Sequence, residues 1–152
     1  MHEINRQLSE YNGIIKETDK IYRDTIKALG LTDSTFWILY TLYETDCEIT
    51  QRDIVNANYF PPQTINSALK KLEIMGYAEL HSDCDKRKKL VKLTEKGRAL
   101  AMHTVGRVMA IETKTMESLT PQEQDAFLGV FRKYTDRLKN AFGTLSKENS
   151  GF

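Results

Sequence analysis

The chain has 152 residues, 40% of them hydrophobic and 28% charged, with 22 Lys and Arg against 21 Asp and Glu. That is the make-up of one ordinary globular domain, and it excludes a disordered or collagen-like chain. The longest unbroken apolar run, Phe36 to Tyr40, falls far short of the roughly 20 residues that cross a bilayer, and no basic-then-apolar leader opens the chain, so the expectation is a cytoplasmic protein with no membrane partner.

Leu8, Tyr11, Ile15, Tyr22 and Leu29 follow helical spacing and predict an opening helix of about 25 residues that Gly30 ends. Thr32 or Asp33 can cap a second helix carrying Phe36, Leu39, Leu42 and Tyr43. Thr50-Gln51-Arg52-Asp53 resembles a capping box and opens a short helix that must stop before Pro61. Pro61-Pro62 pre-sets the first turn of the next helix, which carries Ile65, Ala68, Leu69, Leu72 and Met75 as apolar positions and closes at Gly76. The period then changes. Tyr77 to Ser82 and Lys89 to Leu93 read as two strands of a β-hairpin whose tip is Asp83-Cys84-Asp85-Lys86-Arg87-Lys88. Thr94 can cap a long helix through about Met116, with Leu100, Val105, Val108, Ile111 and Met116 on its apolar side. Thr120-Pro121-Gln122-Glu123 combines a cap, a helix-opening proline and a capping-box carboxylate. Phe127, Phe131, Tyr134, Leu138 and Phe142 then give a helix from about 121 to 142 one aromatic face. The predicted fold is mainly α: four helices, a hairpin and two further helices.

The net charge of +1 conceals an uneven distribution. Residues 50 to 98 hold ten Lys and Arg against six Asp and Glu, leaving the rest of the chain acidic. Five of the seven residues from Lys86 to Lys92 are basic, a density suited to phosphate or minor-groove contact and equally available to a solubilising turn. The short helix from Pro62 favours the first reading. With its apolar stripe turned inward, Gln63, Thr64, Asn66, Ser67, Lys70 and Lys71 face outward, and these are side chains that read base edges or phosphate. A merely solvated helix face is richer in Glu and Lys, which hold a helix better than Thr, Asn and Ser.

These residues resemble the winged-helix core of the multiple-antibiotic-resistance-regulator (MarR) family: the helix-turn-helix from Thr50 to Gly76 with Gln63-Thr64-Ile65-Asn66-Ser67-Ala68-Leu69-Lys70-Lys71-Leu72-Glu73, then Asp85-Lys86-Arg87 and Leu93-Thr94-Glu95-Lys96-Gly97. The resemblance covers essentially the whole chain. It implies a winged helix-turn-helix over residues 32–119 with its long linking helix, dimerisation helices at 1–31 and 120–145, one compact arrangement over 1–145, and a flexible tail at 146–152. It further implies a homodimeric transcriptional regulator, expected to be a repressor, with Arg87 in the minor groove and Asp85 orienting it. Lys86, Lys88 and Lys89 would contact phosphate, as would Thr50 and Gln51 at a helix N-terminus, while Gln63, Thr64, Asn66, Ser67 and Lys70 would face bases or backbone. Where the family commonly opens its recognition helix with a Ser or Thr cap, this chain has Phe60-Pro61-Pro62.

Dimerisation has an independent argument. Three short helices and a hairpin cannot cover the apolar stripes on 8–29, 100–116 and 127–142, so those faces call for a second copy. A two-fold dimer would set its recognition helices about 34–36 Å apart on a pseudo-palindromic operator.

By the same resemblance, a small phenolic or amphipathic effector would bind near Tyr11, Trp37, Tyr40 and His103, and release the DNA; as structure alone, these residues are core. Cys47 and Cys84 are too few for a disulfide framework or a four-cysteine zinc site. Oxidant-sensing members carry a cysteine early in the first helix, and this chain has none there; around Cys84 the basic residues that favour thiolate are opposed by Asp83 and Asp85. His2, His81 and His103 lack metal-like spacing, and no phosphate loop or nucleophile elbow is present, so no cofactor, metal or enzymatic activity is expected. The alternative function is a winged helix turned protein-interaction module, its basic wing gripping an acidic partner.

Overall fold

The computed structural model describes residues 2–82 and 89–149, with side chains at all of these except Ser82 and 146–149. The chain divides into two compact units, with the boundary between Val108 and Met109. In the first unit α1 (His2–Ala28) is followed by α2 (Asp33–Thr45), β1 (Ile49–Thr50), α3 (Gln51–Asn58), α4 (Pro62–Ile74), β2 (Ala78–Ser82), β3 (Lys89–Leu93), α5 (Glu95–His103) and the start of α6 (Val105–Glu117). The second unit holds the rest of α6 and α7 (Pro121–Asn149). Among the described residues no helix is long and apolar enough to cross a membrane.

The helix boundaries follow from local chemistry. Gly30 takes the left-handed conformation that closes α1, and Gly76 does the same after α4. Thr32 caps α2 by accepting the Thr35 N–H. Thr50 and Asp53 form a reciprocal capping box on α3, and Thr120 with Glu123 forms another on α7. No side chain caps α4, whose N-cap is Pro61. Burial decides there: Ile65, Leu69 and Leu72 are almost wholly enclosed, each worth roughly 1.5–3 kcal/mol, against about 1 kcal/mol for a missing cap.

These anchors join one core with Ile26 of α1, Phe36, Ile38, Leu39 and Leu42 of α2, Ile54 of α3, Val91 of β3 and Ala101 of α5. The strands form an antiparallel sheet in the order β1-β3-β2, with Ala78 opposite Leu93 and Ser82 opposite Lys89.

Four details depart from the expectation. Tyr77 precedes the first hairpin strand, and the extra strand β1 pairs Ile49 with Val91 and Thr50 with Leu90; a two-residue strand leading straight into a capped helix leaves no alternation to read. The long helix after Thr94 is two helices. Buried Thr104 leaves helical geometry and turns its hydroxyl onto the Leu100 carbonyl at 2.7 Å, where Gly106 lies against the Tyr43 ring. Met75 follows α4 as its C-cap and is exposed, so its place in the apolar stripe does not hold. Finally, α7 continues to Asn149, beyond the last aromatic of its stripe and through part of the expected tail.

Candidate nucleic-acid interface

The helix-turn-helix is fastened from inside. Ile54 anchors α3 in the core, and the Asn58 amide N–H groups donate to the Ile54 carbonyl at 2.8 Å and the Thr41 hydroxyl at 3.1 Å, tying the end of α3 to α2. Tyr59 then turns the chain in left-handed geometry, and Phe60 packs against the core before Pro61-Pro62 opens α4. With Ile65, Ala68, Leu69 and Leu72 buried, Gln63, Thr64, Asn66, Ser67, Lys70 and Lys71 all stand exposed on one outer face.

That face extends beyond α4. The first turn of α2 lies alongside it, and an open groove of about 430 Å³ runs between Thr32, Ser34 and Thr35 on one side and Gln63, Ser67 and Lys71 on the other. The hydroxyls of α2 went unnoticed in the sequence because only the fold brings them beside α4. The Gln51 amide donates to the Asn66 carbonyl oxygen, so two residues expected to act separately form a pair across the two helices. Thr50 donates its hydroxyl to Asp53 at 2.6 Å and accepts the Asp53 N–H. The phosphate contacts expected of Thr50 and Gln51 therefore compete with bonds inside the protein.

The hairpin is clamped to the end of α4 by the segment Thr94 to Gly97. The Thr94 hydroxyl donates to the Gly76 carbonyl at 2.6 Å and accepts the Gly97 N–H at 3.0 Å. Lys96 donates to the Met75 carbonyl at 2.8 Å, with its ammonium 4.5 Å from the Tyr77 ring centre. Gly97 is required by contact, since a Cβ there would sit 1.8 Å from the Tyr77 carbonyl oxygen.

Much of the positive charge counted in the sequence is committed. Lys92 pairs with Glu79 at 3.3 Å and Glu48 at 3.7 Å; the hydrogen bond to Glu79, helped by the charges of both carboxylates, raises its pKa above the ordinary lysine value. His81 also lies 3.3 Å from Glu48, and Arg98 pairs closely with Asp46. Lys70, Lys71 and Lys89 remain exposed with no ion pair among the described residues. Asp85, Lys86, Arg87 and Lys88, with Cys84, lie outside the described residues.

A helix-turn-helix with a polar outer face, followed by a hairpin clamped to its end, is the frame of a winged DNA-binding domain. Residues 29–88 match the sequence model of the MarR family. Over that segment the chain is similar to the MarR family of transcriptional regulators. It is 25% identical over 135 residues to the uncharacterized HTH-type transcriptional regulator YwoH of Bacillus subtilis, covering 88% of this chain and 98% of that protein. Its fold is similar to NMB1585, a MarR family regulator from Neisseria meningitidis, with a TM-score of 0.76, 23% identity and coverage of 90% of this chain and 96% of the other. It is also similar to S. aureus MepR in its DNA-binding conformation, with a TM-score of 0.72, 21% identity and coverage of 87% and 98%.

Of the residues that MarR-family resemblance points to for an effector, the structure brings two together. Trp37 stacks at a tilt on Tyr40 at 5.4 Å between ring centres, and lies 5.6 Å from Tyr22. It also borders a groove of about 440 Å³ with Tyr22, Ile26 and Phe60, rimmed by Asp19, Arg23 and Asp33. Tyr11 and His103 do not line this groove: Tyr11 is half-buried on α1, and His103 is exposed at the end of α5. Tyr22 was missed because its helical spacing reads as core, and Phe60 because it stands in the turn before α4 and only the fold brings it to Trp37. Cys47 is a free, exposed thiol. Among the described residues no cluster of His, Cys, Asp and Glu could hold a metal ion.

Proposed function

We propose that this chain is a sequence-specific DNA-binding repressor of the MarR family, acting in the cytoplasm as a homodimer on a pseudo-palindromic operator. The observation that carries the reading is the outer face of α4, where every side chain from Gln63 to Lys71 that is not a core anchor is exposed and polar. Gln63, Thr64, Asn66, Ser67 and Lys70 meet base edges and backbone in the major groove, with Gln51 holding Asn66. Arg87, oriented by Asp85, enters the minor groove, and Lys86, Lys88 and Lys89 neutralise phosphates. The segments 1–31 and 120–145 pair with a second copy, and 32–119 carries the winged helix. S. aureus MepR, whose fold this chain shares with a TM-score of 0.66 in this second structure, has been solved as a DNA complex.

The repressor is released by a small amphipathic or phenolic ligand that enters beside Trp37 and changes the spacing of the two recognition helices. NadR has been solved in complex with 4-hydroxyphenylacetate, and 6-hydroxynicotinic acid regulates DNA binding by BpsR of Bordetella bronchiseptica; both proteins share this fold. Selection of bound duplexes from a random pool tests the reading. A two-fold consensus, with affinity falling by orders of magnitude between about 50 and 200 mM salt, is expected. Absence of any preferred duplex would favour the protein-interaction module instead.

A further inference from the structure

Tyr59 is 95% exposed, the most exposed large aromatic or apolar side chain among the described residues. Its backbone is left-handed, with φ 55° and ψ 17°. The conformation has a local purpose: it lets the Tyr59 N–H donate to the Val55 carbonyl and end α3. Glycine or asparagine would adopt it with less strain than a bulky residue. Among the described residues the other non-glycine residue with a positive φ is Asp46, whose short polar side chain tolerates that region. Tyr59 has no such compensation, and its ring and hydroxyl make no hydrogen bond, ion pair or ring contact among the described residues. The core is served by the next residue, Phe60. Neither the turn nor the packing calls for tyrosine at this position.

Its place in the fold supplies a reason. Tyr59 joins α3 to α4, two residues before Pro61 and four before Gln63, the first residue of the outer face. When a helix-turn-helix docks, the first helix crosses the sugar-phosphate strand and the N-terminal end of the second enters the groove, so their junction lies at the groove's edge. A phenol is a neutral hydrogen-bond donor on a stem with few rotatable bonds, suited to fixing one phosphate oxygen. We infer that Tyr59 donates its hydroxyl to a backbone phosphate at the edge of the major groove entered by α4, and thereby sets the register of the recognition helix. The inference rests on the DNA-binding reading above.

The test compares the full-length wild type with Tyr59→Phe and Tyr59→Gly, by fluorescence anisotropy on the selected duplex and on one with altered base pairs, at several salt concentrations. Tyr59→Phe should weaken binding by about threefold to tenfold, as loss of one hydrogen bond does, and equally on both duplexes. The slope of affinity with salt should stay at the wild-type value, because a neutral donor displaces no counterion. Tyr59→Gly should lose at least as much affinity while its Tm stays level or rises, since glycine accepts the left-handed turn without strain. Unchanged affinity in Tyr59→Phe, or a loss confined to one base sequence, overturns the phosphate contact. Failure of the wild type to bind any duplex at low salt overturns the DNA-binding reading instead, so the two failures are distinct.

Discussion

Gln51 and Asn66 meet amide to amide across the helix-turn-helix, and this changes what Asn66 offers a base. A free asparagine can pair bidentately with adenine; one whose carbonyl oxygen already accepts from Gln51 presents its amide N–H groups as donors. The pair should therefore act as a unit in binding. In a double-mutant cycle, Gln51→Ala and Asn66→Ala should each weaken operator binding, and the double variant should fall short of the sum by about 0.5–3 kcal/mol. Additive losses would mean that the two residues act separately. On α7, Glu123 accepts the backbone N–H of Thr120 at 2.8 Å and its hydroxyl at 2.8 Å, and these bonds hold its carboxyl below the ordinary carboxylate range. A depressed folded-state pKa means that the capping contribution is full above the unfolded carboxylate value and lost as pH falls through the folded one. Carbon-13 NMR titration should show the low value, and Thr120→Ala should return it toward the usual range.

At the scale of elements, the clamp from Thr94 to Gly97 joins the recognition helix to the wing. Thr94 serves two elements at once, capping α5 and holding the Gly76 carbonyl, while Lys96 closes the end of α4 and covers Tyr77. Gly97→Ala forces a methyl group against the Tyr77 carbonyl, whose carbon is 2.7 Å away and belongs to backbone that cannot rotate aside. Urea denaturation should show a loss of roughly 1–3 kcal/mol, the usual range for overpacking, and operator affinity should fall because the wing moves relative to α4. An alanine variant as stable as the wild type would mean that the clamp yields without strain.

For the whole molecule, the deciding feature is apolar surface. On α1, Ile4, Leu8, Ile14 and Ile21 are exposed; in the second unit Ile111, Leu119, Leu128 and Val130 are too. Phe127 and Phe131 stack in parallel at 5.8 Å, yet are 52% and 41% exposed. In each unit taken by itself, this exceeds the single scattered apolar residues of an ordinary monomer surface. The proposed homodimer covers it. The double variant Phe127→Glu/Phe131→Glu should sediment as a monomer with its helical circular dichroism retained. Its operator affinity should fall by about 10²–10⁴, as one half-site is gripped without the linked second. A wild type that sediments as a monomer would refute the dimer.

Helix caps, turn glycines and the inward stripe of α4 were legible in the chain because each depends on residues within a turn or two of one another: Thr50 with Asp53, Thr120 with Glu123, Ile65 with Leu69. The resemblance to the MarR family was legible for the same reason, as several short runs of adjacent residues. Tertiary structure alone decided which charges are committed and which amides meet. Lys92 finds Glu48, Arg98 finds Asp46, Gln51 finds Asn66 and Lys96 finds the Met75 carbonyl across gaps that no local period spans. Counting lysines measures how much charge a segment carries, but a salt bridge or hydrogen bond depends on distance in space, and only the packed core sets that distance.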